Sequence, residues 1–304
     1  MAYADEIANL AVEIDGLDAT IVQNEVMIAS ENVSVIPGLV RKIPFMGAGL
    51  KLQMPYINPT EWSSSALAEG NQTTYADIDI EDKTATVVKY VIDWPISLEG
   101  ASYGAADAIG SAILDAGRGY GKKVSTLIHT AINAETDLDV TNTGTLDPAD
   151  LVAAKEKLLT GAVPGPHKLV LHAEHWTDLV AAADVTLGAM SNPTPITQKV
   201  ENGYVGHYAG FETYICPYAV GTGVGASGTA AMSTFFGGDG VRWIYKPTML
   251  PAEGAKTSNG EVGIRIYFND EYRNWVISGT FFGVAAVVRS AETTPWCGNL
   301  YLSA

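Results

Sequence analysis

Positive charge is what this 304-residue chain has least of: 18 Lys and Arg stand against 34 Asp and Glu, a formal net charge of −16. Gripping nucleic acid from solution depends on basic side chains displacing the counterions of the phosphates, so a sequence-reading nucleic-acid protein is excluded and any contact with DNA is glancing. Cysteine is nearly absent. Cys216 and Cys297 are the two present, too few for a disulfide framework, and the expectation is two unbridged thiols in a chain made in a reducing cytoplasm. The longest apolar run, residues 279–288, falls short of the ~20 residues a helix needs to cross a bilayer. The N-terminal MAYADEIANLAVEIDG is acidic where a signal peptide is basic, so neither export nor a membrane partner is expected. Also missing are a phosphate-binding loop with its lysine and the strand-turn-helix serine motif of hydrolases.

What is present is a globular composition, 47% hydrophobic with 31 glycines and only 17% charged residues. That balance suits strands and loops with large mutually covered surfaces, and partners of the chain's own kind. The fold class expected is α+β, with one long helix among many short strands. The helix is read over residues 96–133, ISLEGASYGAADAIGSAILDAGRGYGKKVSTLIHTAIN, with Ser102 or Asp107 as a start. Ala105, Ile109, Ala112, Ile113, Ala116, Val124, Leu127, Ile128 and Ala131 recur there at spacings of three and four, one apolar stripe along a helical face. Gly117, Gly119 and Gly121 each cost about 1 kcal/mol against Ala in a helix interior, so a bend or an outright break is expected at this point. Arg118, Lys122 and Lys123 sit in the same stretch, and read alone they are a solvated basic face.

Ahead of the helix, residues 1–44 form an acidic arm, with Ile7, Leu10, Ala11 and Ile14 as an amphipathic turn or two and Asp5, Glu6, Glu13, Asp15, Asp18, Glu25 and Glu31 before the first basic residue, Arg41. The arm needs a neighbouring surface to order it, or it is a disordered tail. Residues 45–94 read as a long hairpin around a wide polar turn: Leu50, Leu52 and Met54 alternate with Lys51 and Gln53, and Thr84, Thr86 and Val88 alternate on the return. An isolated hairpin is marginal in water, so this one is expected to lie on a neighbouring copy. After the helix, DPADLVAAKEKLL starts with Asp147 as cap and Pro148 in the first turn. HKLVLH then reads as a strand, AEHWTDLVAAA as a helix, VENGYVGHYAGFETYICP as a glycine-joined strand pair, and MSTFF, VRWIY, EVGIRIYF and VISGTFFGVAAVV as strands.

Two motifs carry a conceivable chemistry. His172 and His175 lie three apart in LHAEHW with Glu174 and Asp178 nearby, but they have no third metal ligand. Gly223, Gly225 and Gly228 match the spacing of a dinucleotide loop, but no βαβ unit or downstream acid accompanies them. A soluble enzyme built on these groups is the alternative of another class. No catalytic, cofactor-binding or metal-binding residue is expected. Trp62, Trp94, Trp176, Trp243, Trp275 and Trp296 are read as core or interface anchors.

The order of these parts resembles the major capsid proteins of tailed bacteriophages with the Hong Kong 97-type fold. The stretches that carry the likeness are LAEG (67–70), KYVIDWPISLEGASYGAADAIGSAI, DLVAAKEKLLTGAVPGPHKLVLHAEHWTDL, ENGYVGHYAGFETYIC and VISGTFFGVAAVVRSAE. The resemblance implies an N-terminal arm (1–44), an extended hairpin loop (45–94), a peripheral domain (95–144 and 256–304) holding the long spine helix, and an axial domain (145–255). It implies a structural virion subunit that self-assembles into hexamers and pentamers of an icosahedral shell around double-stranded DNA, built in the cytoplasm of a bacterial host. No helical propeptide precedes the arm, so a separate scaffolding protein is implied, with portal and decoration proteins as further partners. An encapsulin-like compartment is the alternative within the same fold. Assembly contacts are expected at Leu52, Met54, Glu69 and Gly70 of the hairpin and at Gly117, Arg118, Gly119, Gly121, Lys122 and Lys123 of the spine helix. The glycines would act as a hinge, and the basic residues would pair with acidic arms or touch packaged DNA non-specifically. The lysine–asparagine crosslink of some members finds no match here.

Overall fold

The computed structural model describes residues 35–57, 80–135, 137–143, 145–183, 204–216, 232–250, 255–256, 261–269, 271–272, 274–288 and 296–303. The expected arm up to residue 34, the hairpin turn with Trp62, Glu69 and Gly70, and the glycine loop at 223–228 lie outside the described residues.

A one-turn helix, α1 (Ile36–Leu39), is followed by the long helix α2 (Leu98–Asn133), which runs through Gly117, Gly119 and Gly121 without interruption. The expected break is therefore corrected, and the magnitudes say why. Three glycines cost about 3 kcal/mol together, whereas Val124, Ile128 and Ile132, wholly buried at four-residue intervals, each gain roughly 1.5–3 kcal/mol from burial. The starting point is corrected as well. Ile96 and Ser97 end strand β4 (Val88–Ser97) because they pair with Trp275 and Asn274, and Ile96 is buried. Neither Ser102 nor Asp107 starts the helix, which leaves the strand directly at Leu98.

Two six-stranded sheets flank α2. The first runs β1 (Arg41–Pro44), β10 (Val241–Tyr245), β13 (Asn274–Val287), β12 (Val262–Asn269) and β11 (Ala255–Lys256), with β4 also paired to β13. The second runs β5 (Val140–Thr143), β14 (Cys297–Ser303), β9 (Met232–Gly237), β6 (His167–Leu171), β8 (Phe211–Ile215) and β7 (Tyr204–Tyr208). The strands cut across the borders read from the sequence. β1 of the expected arm and β10 of the expected axial stretch lie in the first sheet, while β5 and β14 of the expected peripheral stretch lie in the second. The strand β14, which follows the expected closing strand, was not foreseen.

One apolar cluster joins all three bodies: Ile128 and Ile132 of α2 pack with Trp243, Ile277 and Phe281 of the first sheet and with Val170, Phe236 and Cys297 of the second. A second core lies under α3 (Pro148–Thr160), whose Leu151, Ala154 and Leu158 meet Leu169, Phe211 and Phe235. Its start is as read: the Asp147 carboxylate accepts from the Ala149 N–H at 3.2 Å, and Asp150 accepts from the Asp147 N–H at 2.9 Å. Helix α4 (Ala173–Ala183) follows β6 directly. Cys216 and Cys297 are both buried free thiols, as expected, and burial raises the Cys297 thiol well above its ordinary pKa.

The chain passes from the second sheet to the first in three residues, 238–240, between β9 and β10. Gly238 there has φ +51°, which favours glycine. A Cβ on Gly240 would stand 2.6 Å from Trp296 and one on Gly237 2.5 Å from Val163, so neither position has room for a side chain.

Substitution at two other glycines separates helix propensity from packing. Gly119→Ala adds a methyl group into open space on α2 and is expected to raise unfolding free energy by up to about 1 kcal/mol. Gly283→Ala would bring Cβ to 2.4 Å from the Trp243 ring and is expected to lower it by about 1–3 kcal/mol. Urea unfolding of the soluble subunit checks both.

Candidate assembly surfaces

The hairpin pairs β2 (Lys51–Ile57) with β3 (Ile80–Thr86) as a separate two-stranded sheet. Its two faces follow the period-two alternation. Lys51, Gln53, Asp82, Thr84 and Thr86 are exposed, while Met54 and Ala85, joined by Leu52 and Val87, pack on Ile244, Leu250, Phe282 and Ala286 of the same chain. Leu52 and Met54 were expected to contact a neighbouring copy. In the single chain they pack on the first sheet instead, because an alternating apolar face gains by covering the nearest apolar sheet.

Polar ties hold the same base. The buried Lys246 ammonium donates to the Gly47 carbonyl at 2.7 Å and to the Gly49 carbonyl, and lies 4.6 Å from the centroid of the Phe45 ring. Lys83 of β3 pairs with Glu135, just past the end of α2, at 2.9 Å. Lys42 of β1 pairs at 3.0 Å with Glu261, whose side chain is wholly buried.

A different surface is open. β4 has β13 as its one strand partner among the described residues, so its outer edge presents unpaired backbone groups. Val88, Val91 and Ile92 on that strand, and Leu114 on α2, are each nearly half exposed. Beside them lies an open groove of about 370 Å³ lined by Tyr90, Trp94, Gly119, Tyr120, Lys123 and Phe281, among others. Its floor is aromatic: Tyr90 stacks on Phe281 at 4.9 Å, and Tyr120 meets the same ring edge-on at 5.1 Å. Burial, then the Glu261 carboxylate, pushes the Tyr120 hydroxyl well above its ordinary pKa, so it stays a neutral donor. At the rim Lys123 sits 5.0 Å over the Tyr90 ring, and the Trp94 indole N–H donates to Asp115 at 3.3 Å.

Of the spine-helix residues singled out in the sequence, the fold brings Gly119 and Lys123 to this groove. Arg118 and Lys122 are exposed, and Gly117 and Gly121 are buried. The sequence reading missed Tyr90, Val91, Ile92, Tyr120 and Phe281. One available signal was that one phase of the β4 alternation, Val88, Tyr90, Ile92, Trp94 and Ile96, is apolar throughout.

The two histidines read as doubtful metal ligands have ring centroids 6.3 Å apart. Among the described residues no group of three His, Cys, Asp or Glu side chains is placed to hold a metal ion, and no helix is long and apolar enough to cross a membrane. A surface built from an apolar strand edge and an aromatic groove suits contact with other proteins better than turnover of a small molecule.

The architecture is shared. A solved structure from Mycobacterium phage Ogopogo superimposes with a TM-score of 0.62 at 13% identity, covering 89% of this chain and 92% of that one. The capsid of Ralstonia phage GP4 gives 0.59 at 10% identity, with 88% of each chain covered. The SrpI encapsulin from Synechococcus elongatus gives 0.59 at 12% identity, covering 88% of this chain and 86% of that one. These likenesses define a capsid-type α+β fold, the Hong Kong 97 type. The family model for phage capsid protein matches residues 80–289, more than two thirds of the sequence, and the chain belongs to that family. It is a structural subunit of a virion capsid. No curated protein sequence matches it.

Met54→Ala tests how the hairpin base is held. Removing a side chain that is 5% exposed and seated on Phe282 and Leu250 is expected to cost about 2–4 kcal/mol in urea unfolding, whereas a hairpin held only by neighbours would lose under 1 kcal/mol in the dissociated subunit.

Proposed function

We propose that this subunit closes with copies of itself into hexamers and pentamers of an icosahedral shell around double-stranded DNA, with β4 and the aromatic groove as a principal contact. The observation that carries the proposal is the β4 edge, unpartnered among the described residues, with Val88, Val91 and Ile92 exposed beside an open aromatic groove. A symmetric assembly repeats such a contact around each ring, so a modest apolar area per copy suffices. In this reading the first sheet with α2 is the body of the peripheral domain and the second sheet that of the axial domain. Glu69 and Gly70 are contacts at the hairpin tip, and Gly117, Gly119 and Gly121 ease small changes in the curvature of α2.

The remaining partners follow from the same reading. A separate scaffolding protein directs assembly in the bacterial cytoplasm, a portal occupies one vertex, and decoration proteins add from outside. Arg118 and Lys122, both exposed, neutralise acidic arms of neighbouring copies, since a chain of net charge −16 gains most by pairing its own charge. Contact with packaged DNA is secondary and blind to sequence.

The double substitution Val91→Asp and Ile92→Asp tests the contact. Both side chains are exposed in the isolated subunit, so the variant is expected to fold with unchanged circular dichroism while negative-stain microscopy shows loss of closed shells. Normal shells from that variant would refute the contact. The ratio of absorbance at 260 and 280 nm in purified native shells checks the cargo: a nucleic-acid ratio fits a virion, and a protein ratio fits a compartment.

A further inference from the structure

Lys155, on α3, has partners unlike those of Lys42 and Lys83. Its side-chain nitrogen donates to the Gly210 carbonyl at 2.9 Å, in the turn between β7 and β8, and touches Nδ1 of His167 at the start of β6. The Phe211 ring closes a third side, its centroid 4.9 Å away. Lys42 and Lys83 pair with carboxylates, whereas among the described residues no ion pair includes Lys155.

The backbone decides which nitrogen of His167 carries hydrogen. Nε2 lies 3.0 Å from the Val163 carbonyl, which can only accept, so Nε2 holds the proton and Nδ1 of the neutral ring turns its lone pair to Lys155. His167 is 9% exposed, with its ring 6.3 Å from that of Phe211. A neutral amine has two N–H groups, and here the Gly210 carbonyl and the imidazole take both. The amine's own lone pair is then left for an electrophile arriving from solvent, which reaches Lys155 because the residue is partly exposed.

We propose that Lys155 is an acylation site, a nucleophilic amine with His167 as its base, and that it takes its acyl group from a small acyl phosphate. The inference goes beyond the shell reading and does not rest on it. The Nζ lone pair forms the new N–C bond at the carbonyl carbon. The C–O bond to phosphate breaks and phosphate leaves with the electron pair, while the proton lost from nitrogen passes to His167 Nδ1 and on to water. The pair supplies a nucleophile and a base, and no carboxyl group is paired with the amine to act as an acid, so the electrophile must bring a good leaving group of its own, as an acyl phosphate does.

Burial pulls the Lys155 ammonium below its ordinary pKa and so enlarges the neutral, nucleophilic fraction. The face of Phe211 favours the cation and works against this, without supplying a counter-charge. The charged groups on the surrounding elements are engaged elsewhere or turned outward. On α3, Glu156 is exposed and Lys157 donates to the Asp139 carbonyl. On β6, Lys168 donates to the Leu39 carbonyl at 2.6 Å. His207 on β7 is exposed and Glu212 on β8 half-buried, while β9 and residues 161–166 carry no charge.

Acetyl phosphate applied to the purified full chain, with acetylation read lysine by lysine by mass spectrometry, tests this. At pH 7.5 Lys155 is expected to react about tenfold faster than the exposed Lys51 and Lys89, and the lead is expected to vanish in urea, where the fold no longer sets the surroundings. Between pH 7.5 and 9.5 the rate of an ordinary lysine amine rises about ninetyfold with its neutral fraction, and that of Lys155 in the folded chain is expected to rise less steeply. His167→Gln, which removes the base and keeps a polar side chain, is expected to slow Lys155 about tenfold and to leave Lys51 and Lys89 unchanged. If that variant does not fold, the folded and urea-unfolded wild-type chains decide alone. Equal rates at Lys155 and Lys89 in the folded chain, a lead that survives in urea, or an undiminished lead in folded His167→Gln would each overturn the proposal.

Discussion

The structure depends on burying the C-terminal half of α2 between two sheets at once. Val124, Ile128 and Ile132 have no solvent exposure, and their partners come from strands distant in sequence: Val170 and Phe236 on one side, Trp243 and Phe281 on the other. The largest cluster draws on both sheets. The helix is therefore a shared wall, and its glycines are tolerated because the gain from that wall exceeds their cost.

The parts were legible in the sequence where the signal is local. The four-residue apolar stripe gave α2, the Asp147-Pro148 pair gave the start of α3, and two-residue alternation gave β2 and β3. What the sequence did not reveal depends on pairing between remote segments. The helix start moved because Ile96 and Ser97 are claimed by Trp275 and Asn274. The sheets exchanged strands because β9 and β10, near neighbours in the chain, belong to different sheets. Of the described residues marked for assembly, Leu52 and Met54 pack on their own chain's first sheet, and Gly119 and Lys123 line the groove. The groove could not be read directly, since Tyr90, Tyr120 and Phe281 meet only through the first sheet and α2.

Charge is distributed in keeping with a subunit that meets copies of itself. The long-range ion pairs Lys42–Glu261 and Lys83–Glu135 use basic residues to fasten β1 and β3 to the body, at 3.0 and 2.9 Å. Arg41 does the same with Asp239 on the surface. Asp82, Asp93 and Glu174 are exposed among the described residues, and like charge of this kind limits unproductive aggregation of free subunits, while the apolar β4 edge remains the place where two copies gain by meeting.

The crossing at residues 238–240 works as a leash. Between Gly237 and Val241 the chain makes four steps, at most about 14 Å when fully extended, so the facing ends of β9 and β10 cannot part further than that, whatever happens elsewhere in the subunit. Relative motion of the two sheets is thereby reduced to turning about that point, and displacement grows with distance from it. β7, at the far edge of the second sheet, has the longest lever arm, and a small twist at the glycines is delivered as a large excursion there.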